Sequence, residues 1–215
     1  MSQNAETIKV EIDIDQFAAQ KKNNYSLFLA KKVNGKYTVI WQSKGAKASA
    51  TKPSYGPRDT FSVDTPNFEV NYTNQLPSGD GIQITASGVP VTMGLDETVA
   101  LSDSGLFGAP KGGGKTGSIT VNNELGGNPH EILSDTDGNP IFVNKVSGMD
   151  IGDAVLTPVD QYQIWFDNKQ KTGTMISHNA SKVGEVTFDG SSSVETISYT
   201  AEGEWVNAPL PKGSA

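Results

Sequence analysis

Ile8, Val10, Ile12 and Ile14 alternate with Lys9, Glu11, Asp13 and Asp15, and a period of two puts the first set on one face of a strand and the second on the other. This pattern constrains the chain more than any other because the same style recurs to its end. β-Branched and aromatic runs fall at 60–63, 67–73, 81–86, 98–101, 118–121, 131–133 and 141–145, and again at 154–157, 162–166, 173–177, 185–188, 194–200 and 204–206. Turn residues such as Pro66, Gly94 and the Pro77-Ser78-Gly79-Asp80-Gly81 cluster separate them. Short strands at such spacing indicate two packed sheets rather than a helical bundle. The one helix-friendly stretch is 15–22, which opens on Asp15 and extends for about two turns.

Two turns are readable directly. Asn34-Gly35 lies between Tyr25–Ala30 and Tyr37–Trp41, and both turn residues tolerate the positive φ that a two-residue hairpin requires. Asp137-Gly138 makes the same case between 131–133 and 141–145. The expected fold is therefore an all-β antiparallel sandwich of two packed sheets, with one short helix after the first strand. At 215 residues the chain is expected to form a single domain over 1–215, or two tightly packed halves joined through the glycine-rich stretch 105–117.

Composition narrows the chemistry. The chain has no cysteine, which removes disulfides, thiolate nucleophiles and cysteine-ligated zinc. A net charge of −7 disfavours a nucleic-acid partner, since a phosphate backbone repels an acidic surface. The lysines gather early, at Lys21, Lys22, Lys31, Lys32, Lys36, Lys44, Lys47 and Lys52, and read as solvated guards of strand edges. No apolar run approaches the ~20 residues that span a bilayer as a helix. The first residues lack the basic start and apolar core of a signal peptide, so the chain reads as cytoplasmic when made; a leader removed beforehand would make it a secreted protein.

Motifs with chemical content are few. Ala109-Pro110-Lys111-Gly112-Gly113-Gly114-Lys115-Thr116 resembles a relaxed phosphate-binding loop. Such a loop needs a helix after it to present converging N–H groups, whereas the alternating Ser118-Ile119-Thr120-Val121 follows here. Asp135, Asp137 and Asn139 place oxygen side chains at alternate positions, as half a calcium loop does, but no glutamate closes the loop and a hairpin turn accounts for them better. His130 and His178 are the only imidazoles and both fall at strand ends. No catalytic, metal-binding or cofactor-binding residue is assigned.

Aromatic side chains are then the natural candidates for ligand contact. Trp41 and Trp165 lie in apolar runs and read as core. Tyr55, between Pro53 and Pro57, and Trp205, among polar residues near the C-terminus, are the candidate ligand-binding residues. The function expected on this basis is non-catalytic recognition of a glycan or another cell-surface component by loops on a rigid β scaffold. The alternatives are a membrane-active, pore-forming protein, with 118–121 and 131–145 as refolding segments, and a self-assembling structural protein that pairs strand edges as a homo-oligomer.

Overall fold

The computed structural model describes residues 5–50, 52–76, 82–176 and 182–215. Strand β1 (Thr7–Ile12) leads into α1 (Ile14–Lys22), the single helix among the described residues, followed by β2 (Ser26–Val33), β3 (Gln42–Lys44), β4 (Arg58–Ser62) and β5 (Phe68–Thr73). The middle of the chain supplies β6 (Val91–Met93), β7 (Glu97–Leu101), β8 (Lys111–Gly112), β9 (Ile119–Asn123), β10 (His130–Ser134) and β11 (Pro140–Val143). The last part supplies β12 (Gly152–Leu156), β13 (Pro158–Asp167), β14 (Gly184–Thr187), β15 (Val194–Tyr199) and β16 (Trp205–Val206). The fold is all-β and sandwich-like, as the alternation predicts. Its strands divide among four four-stranded sheets, ordered β16-β15-β1-β4, β11-β10-β5-β6, β12-β9-β7-β8 and β14-β13-β2-β3.

Most pairings are antiparallel, but β1 with β15 and β7 with β9 run parallel. A parallel pair needs a long crossover, and nearly the whole chain intervenes between β1 and β15, setting the two ends side by side. One apolar cluster draws on all four sheets through residues such as Ile8, Leu29, Val70, Val121, Leu133 and Ile164. The hydrophobic effect that drives strand burial is non-directional, so alternation within each strand supplies the faces and the sheets meet where those faces meet.

Residue-level departures from expectation have local causes. Ile8, Val10 and Ile12 are fully buried, but Ile14 is half exposed, because the alternation stops at Asp13. That side chain caps α1 instead, its Oδ1 accepting from the N–H groups of Asp15 at 3.0 Å and Gln16 at 3.4 Å, which satisfies donors a helix start leaves free. The Asn34-Gly35 turn forms with φ of 50° and 73°, and Val33 and Lys36 exchange backbone bonds across it. Residues 37–40 then peel away to bond the 173–176 segment, and the Trp41 N–H returns to the Leu29 carbonyl of β2 just before β3. The reason is the second face of β2: Phe28 and Ala30 are buried there and need the cover that Ile40 and Trp165 provide.

The Asp137-Gly138 hairpin joins β10 and β11 with a register shift at Leu133/Ser134. The strand expected over 81–86 does not form: Gly81 lies outside the described residues, and only Gln83 makes an isolated bridge, to Thr174. The glycine-rich stretch 105–117 holds the short β8 paired to β7. Gly114 is required there, since a Cβ would come 2.5 Å from the carbonyl oxygen of Glu97.

Candidate functional site

Tyr55 and Trp205, the two aromatics expected on exposed loops, instead both pack against Phe166. Tyr55 is 2% exposed, its hydroxyl donates to the Tyr25 carbonyl at 3.0 Å, and burial pushes its pKa well above the usual phenol value. Phe166 lies 5.6 Å from the Tyr55 ring and stacks on Trp205 at 5.6 Å, while Tyr199 packs against Trp205 at 4.8 Å. Trp205 is partly buried and its indole N–H has no partner among the described residues. Polar neighbours in sequence suggested display to solvent, but apolar rings from β13 and β15 outweigh them: Tyr55 is closed off from solvent, and Trp205 keeps only part of its surface exposed.

Lysines from the early cluster take part in the same packing. Lys21 Nζ sits 4.1 Å from the centre of the Tyr55 ring and donates to the Ala46 carbonyl at 2.6 Å. Burial lowers its pKa, and nearby Asp59 opposes that. Lys31, expected as a solvated edge residue, is 1% exposed. Its ammonium donates to Asp160 Oδ1 and to the Tyr162 hydroxyl, both at 2.8 Å, and that hydroxyl in turn donates to the Val63 carbonyl at 3.2 Å. A cleft of about 540 Å³ opens beside this group, with Glu6 and Asp64 on its walls. Glu6 is raised above the ordinary carboxylate value, first by burial and then by the neighbouring Asp160.

A cleft of about 970 Å³ opens where the 64–67 connection, the 135–140 turn and the 171–173 turn face one another. Its organising group is Asp135. Oδ2 accepts from Trp41 Nε1 at 2.7 Å and from Asn139 Nδ2 at 2.9 Å. Oδ1 accepts from the Asp137 and Asn139 backbone N–H groups at 3.1 and 2.8 Å. The carboxylate is therefore saturated by N–H donors, and charge-assisted bonds of this kind fix a turn firmly. Trp41, itself 3% exposed and stacked on Tyr162, ties the turn to the core.

Asp64, Asn67, Gln83 and Asp137 line the same cleft together with Pro66 and Pro140. Lys52 lines it as well, its Nζ held by Ser26 Oγ at 3.0 Å and lying over the Phe28 ring; burial lowers its pKa. Such a surface mixes carboxylates, amides and ammonium with small apolar faces. Of these residues the sequence points to chemistry only at Asp135, Asp137 and Asn139, whose local turn signal gives no hint of Trp41 or Gln83 as neighbours.

The remaining motifs settle simply. Because N–H donors occupy both oxygens of Asp135, the 135–139 turn is not arranged as half of a calcium loop, and no group of three or more acidic or imidazole residues among the described residues is arranged to hold a metal ion. Strand β9 follows the glycine run at Lys115, so no helix N-terminus faces it. His130 opens β10 with Nδ1 2.8 Å from the Asn144 carbonyl oxygen, and His178 lies outside the described residues. No helix among the described residues is long and apolar enough to cross a membrane. Compared with protein-family models, curated proteins and solved structures, the chain matches none.

Proposed function

We propose that this protein is a non-catalytic binding protein and that its ligand is a glycan or similar polyhydroxylated cell-surface component, held in the cleft beside the 135–140 turn. The carrying observation is the Asp135 network, which fixes one wall of a large polar cleft without leaving Asp135 free for chemistry. Vicinal hydroxyls pair well with carboxylate and amide side chains, which Asp137, Asn67 and Gln83 supply, and the Pro66 and Pro140 rings suit the C–H faces of a sugar. A prefixed wall lowers the ordering penalty of binding. Contact then comes from hydrogen bonding rather than from stacking on Tyr55 or Trp205, because neither lines this cleft.

A glycan array and a panel of cell-wall polysaccharides test the reading, followed by titration calorimetry on any hit. Asp137→Ala and Gln83→Ala are expected to weaken binding by about ten-fold each, the value of one well-made polar contact. An absence of binding at high protein concentration would refute it. The pore-forming alternative is less favoured, because β9 and β10 are interior strands of two different sheets and their release would break the pairing on both sides of each.

A further inference from the structure

Among the described residues the four most exposed large apolar side chains are Val89, Val146, Ile151 and Leu106, at 75%, 72%, 68% and 64% exposure. They fall on three loops that share one end of the molecule. The parallel pairing of β7 with β9 and the antiparallel pairing of β9 with β12 bring the ends at Leu101, Asn123 and Gly152 together. The pairing of Thr73 with His130 sets the end of β5 beside the start of β10. Asp135 and the polar cleft lie at the other end of β10, about 17 Å away at the usual rise per residue.

The segments that carry these four side chains are held in place. Asn71 Nδ2 donates to the Gly88 carbonyl at 3.0 Å and the Tyr72 hydroxyl to the Gly105 carbonyl at 3.2 Å. Asn123 Nδ2 donates to the carbonyls of Leu125 and Asp150 at 3.1 and 3.0 Å, and the Met149 N–H donates to the Pro129 carbonyl. Buried side-chain amides and a buried phenol thus brace loop backbones from beneath while the aliphatic tips point outward. The charges on the same loops are mostly acidic: Asp103, Glu124 and Asp150 are exposed, against one exposed lysine, Lys145, whose Nζ donates to the Ile176 carbonyl at 2.6 Å.

We propose that this end of the protein docks on a lipid bilayer rich in choline headgroups, with Val89, Leu106, Val146 and Ile151 entering the headgroup layer and the three carboxylates meeting choline ammonium groups. Separate aliphatic tips gain from any apolar medium, whatever its shape. A protein partner is served better by the aromatic and arginine anchors of binding hot spots, and none of the four is of that kind. The carboxylates select the surface further, since they are attracted to an outward-facing quaternary ammonium and repelled by an anionic leaflet.

Sedimentation with sucrose-loaded vesicles tests this directly. The protein is expected to bind phosphatidylcholine vesicles and to bind phosphatidylcholine–phosphatidylglycerol mixtures more weakly. The variant Val89→Ser/Leu106→Ser/Val146→Ser/Ile151→Ser is expected to need at least about ten-fold more lipid for half binding, with an unchanged circular-dichroism melt showing that it folds. Asp103→Asn/Glu124→Gln/Asp150→Asn is expected to lose the preference for the uncharged vesicles. Failure to bind phosphatidylcholine, or equal binding by the serine variant, overturns the proposal. So does a dimer in light scattering that the serine variant alone converts to monomer, which would give the surface to a second copy of the chain. Binding in the polar cleft stands apart from all of these outcomes.

Discussion

Removing Asp160 and removing Lys31 break the same ion pair, yet the structure requires very different consequences. Lys31 is 1% exposed at its side chain and Asp160 is 53% exposed. In Asp160→Ala the ammonium stays buried with only the Tyr162 hydroxyl within 2.8 Å. Stranding a buried charge costs about 3–5 kcal/mol, and the partial exposure of Asp160 places this case near the lower figure. In Lys31→Met the orphaned partner is the half-exposed carboxylate, which water resolvates, while methionine refills the space and Tyr162 keeps its bond to Val63. That loss is about 1 kcal/mol or less.

For a protein of this length each kcal/mol moves Tm by about 2–4 °C. Asp160→Ala is then expected to melt about 6–12 °C lower and Lys31→Met less than about 4 °C lower. The double variant should resemble Lys31→Met, because the second change leaves no charge buried. Calorimetry or urea melts on the four proteins measure the cycle. Equal losses in the two single variants, or a loss below about 1 kcal/mol in Asp160→Ala, would refute the reasoning and show that water in the adjoining cleft solvates the ammonium.

Trp41→Phe removes the donor to Asp135 Oδ2 and is expected to destabilise by about 2 kcal/mol, the worth of a bond to a charged group, as read by denaturant melts; a neutral result would mean that the turn holds without the core. Burial raises the pKa of Glu131, against opposing bonds from its own backbone and Asn144 and the charge of His130, so the folded state holds that proton more tightly than the unfolded state. The stability this gives is present below the unfolded pKa and is lost as pH rises through the folded one. Glu131→Gln should therefore gain on wild type in parallel melts as pH rises above the ordinary glutamate value of about 4. Gly148→Ala adds a Cβ that collides with the Asn128 carbonyl at a φ of +57°; a loss of about 2 kcal/mol or more is expected, with hydrogen exchange showing whether it is confined to the 144–151 loop.

Period-two alternation, the two turns, where Asn34, Gly35 and Gly138 take positive φ, and the Asp start of the helix belong to short stretches of chain, and local sterics and hydrogen bonding decide them. They were legible as an all-β sandwich-like fold, the Asn34-Gly35 and Asp137-Gly138 turns and a helix within a residue of its true start. Whether a side chain at a legible position meets solvent depends on what another segment brings to it. Tyr55 and Trp205 lie 150 residues apart and both pack against Phe166, the first buried and the second partly so; Lys31 lost its water to Asp160 and Tyr162; residues 37–40 left their hairpin because β2 had a second apolar face to cover. The candidate cleft follows the same rule. The turn at Asp135 was readable as a turn, but its bond to Trp41, 94 residues away, exists only because burial is non-local and the sheets could close in this one arrangement.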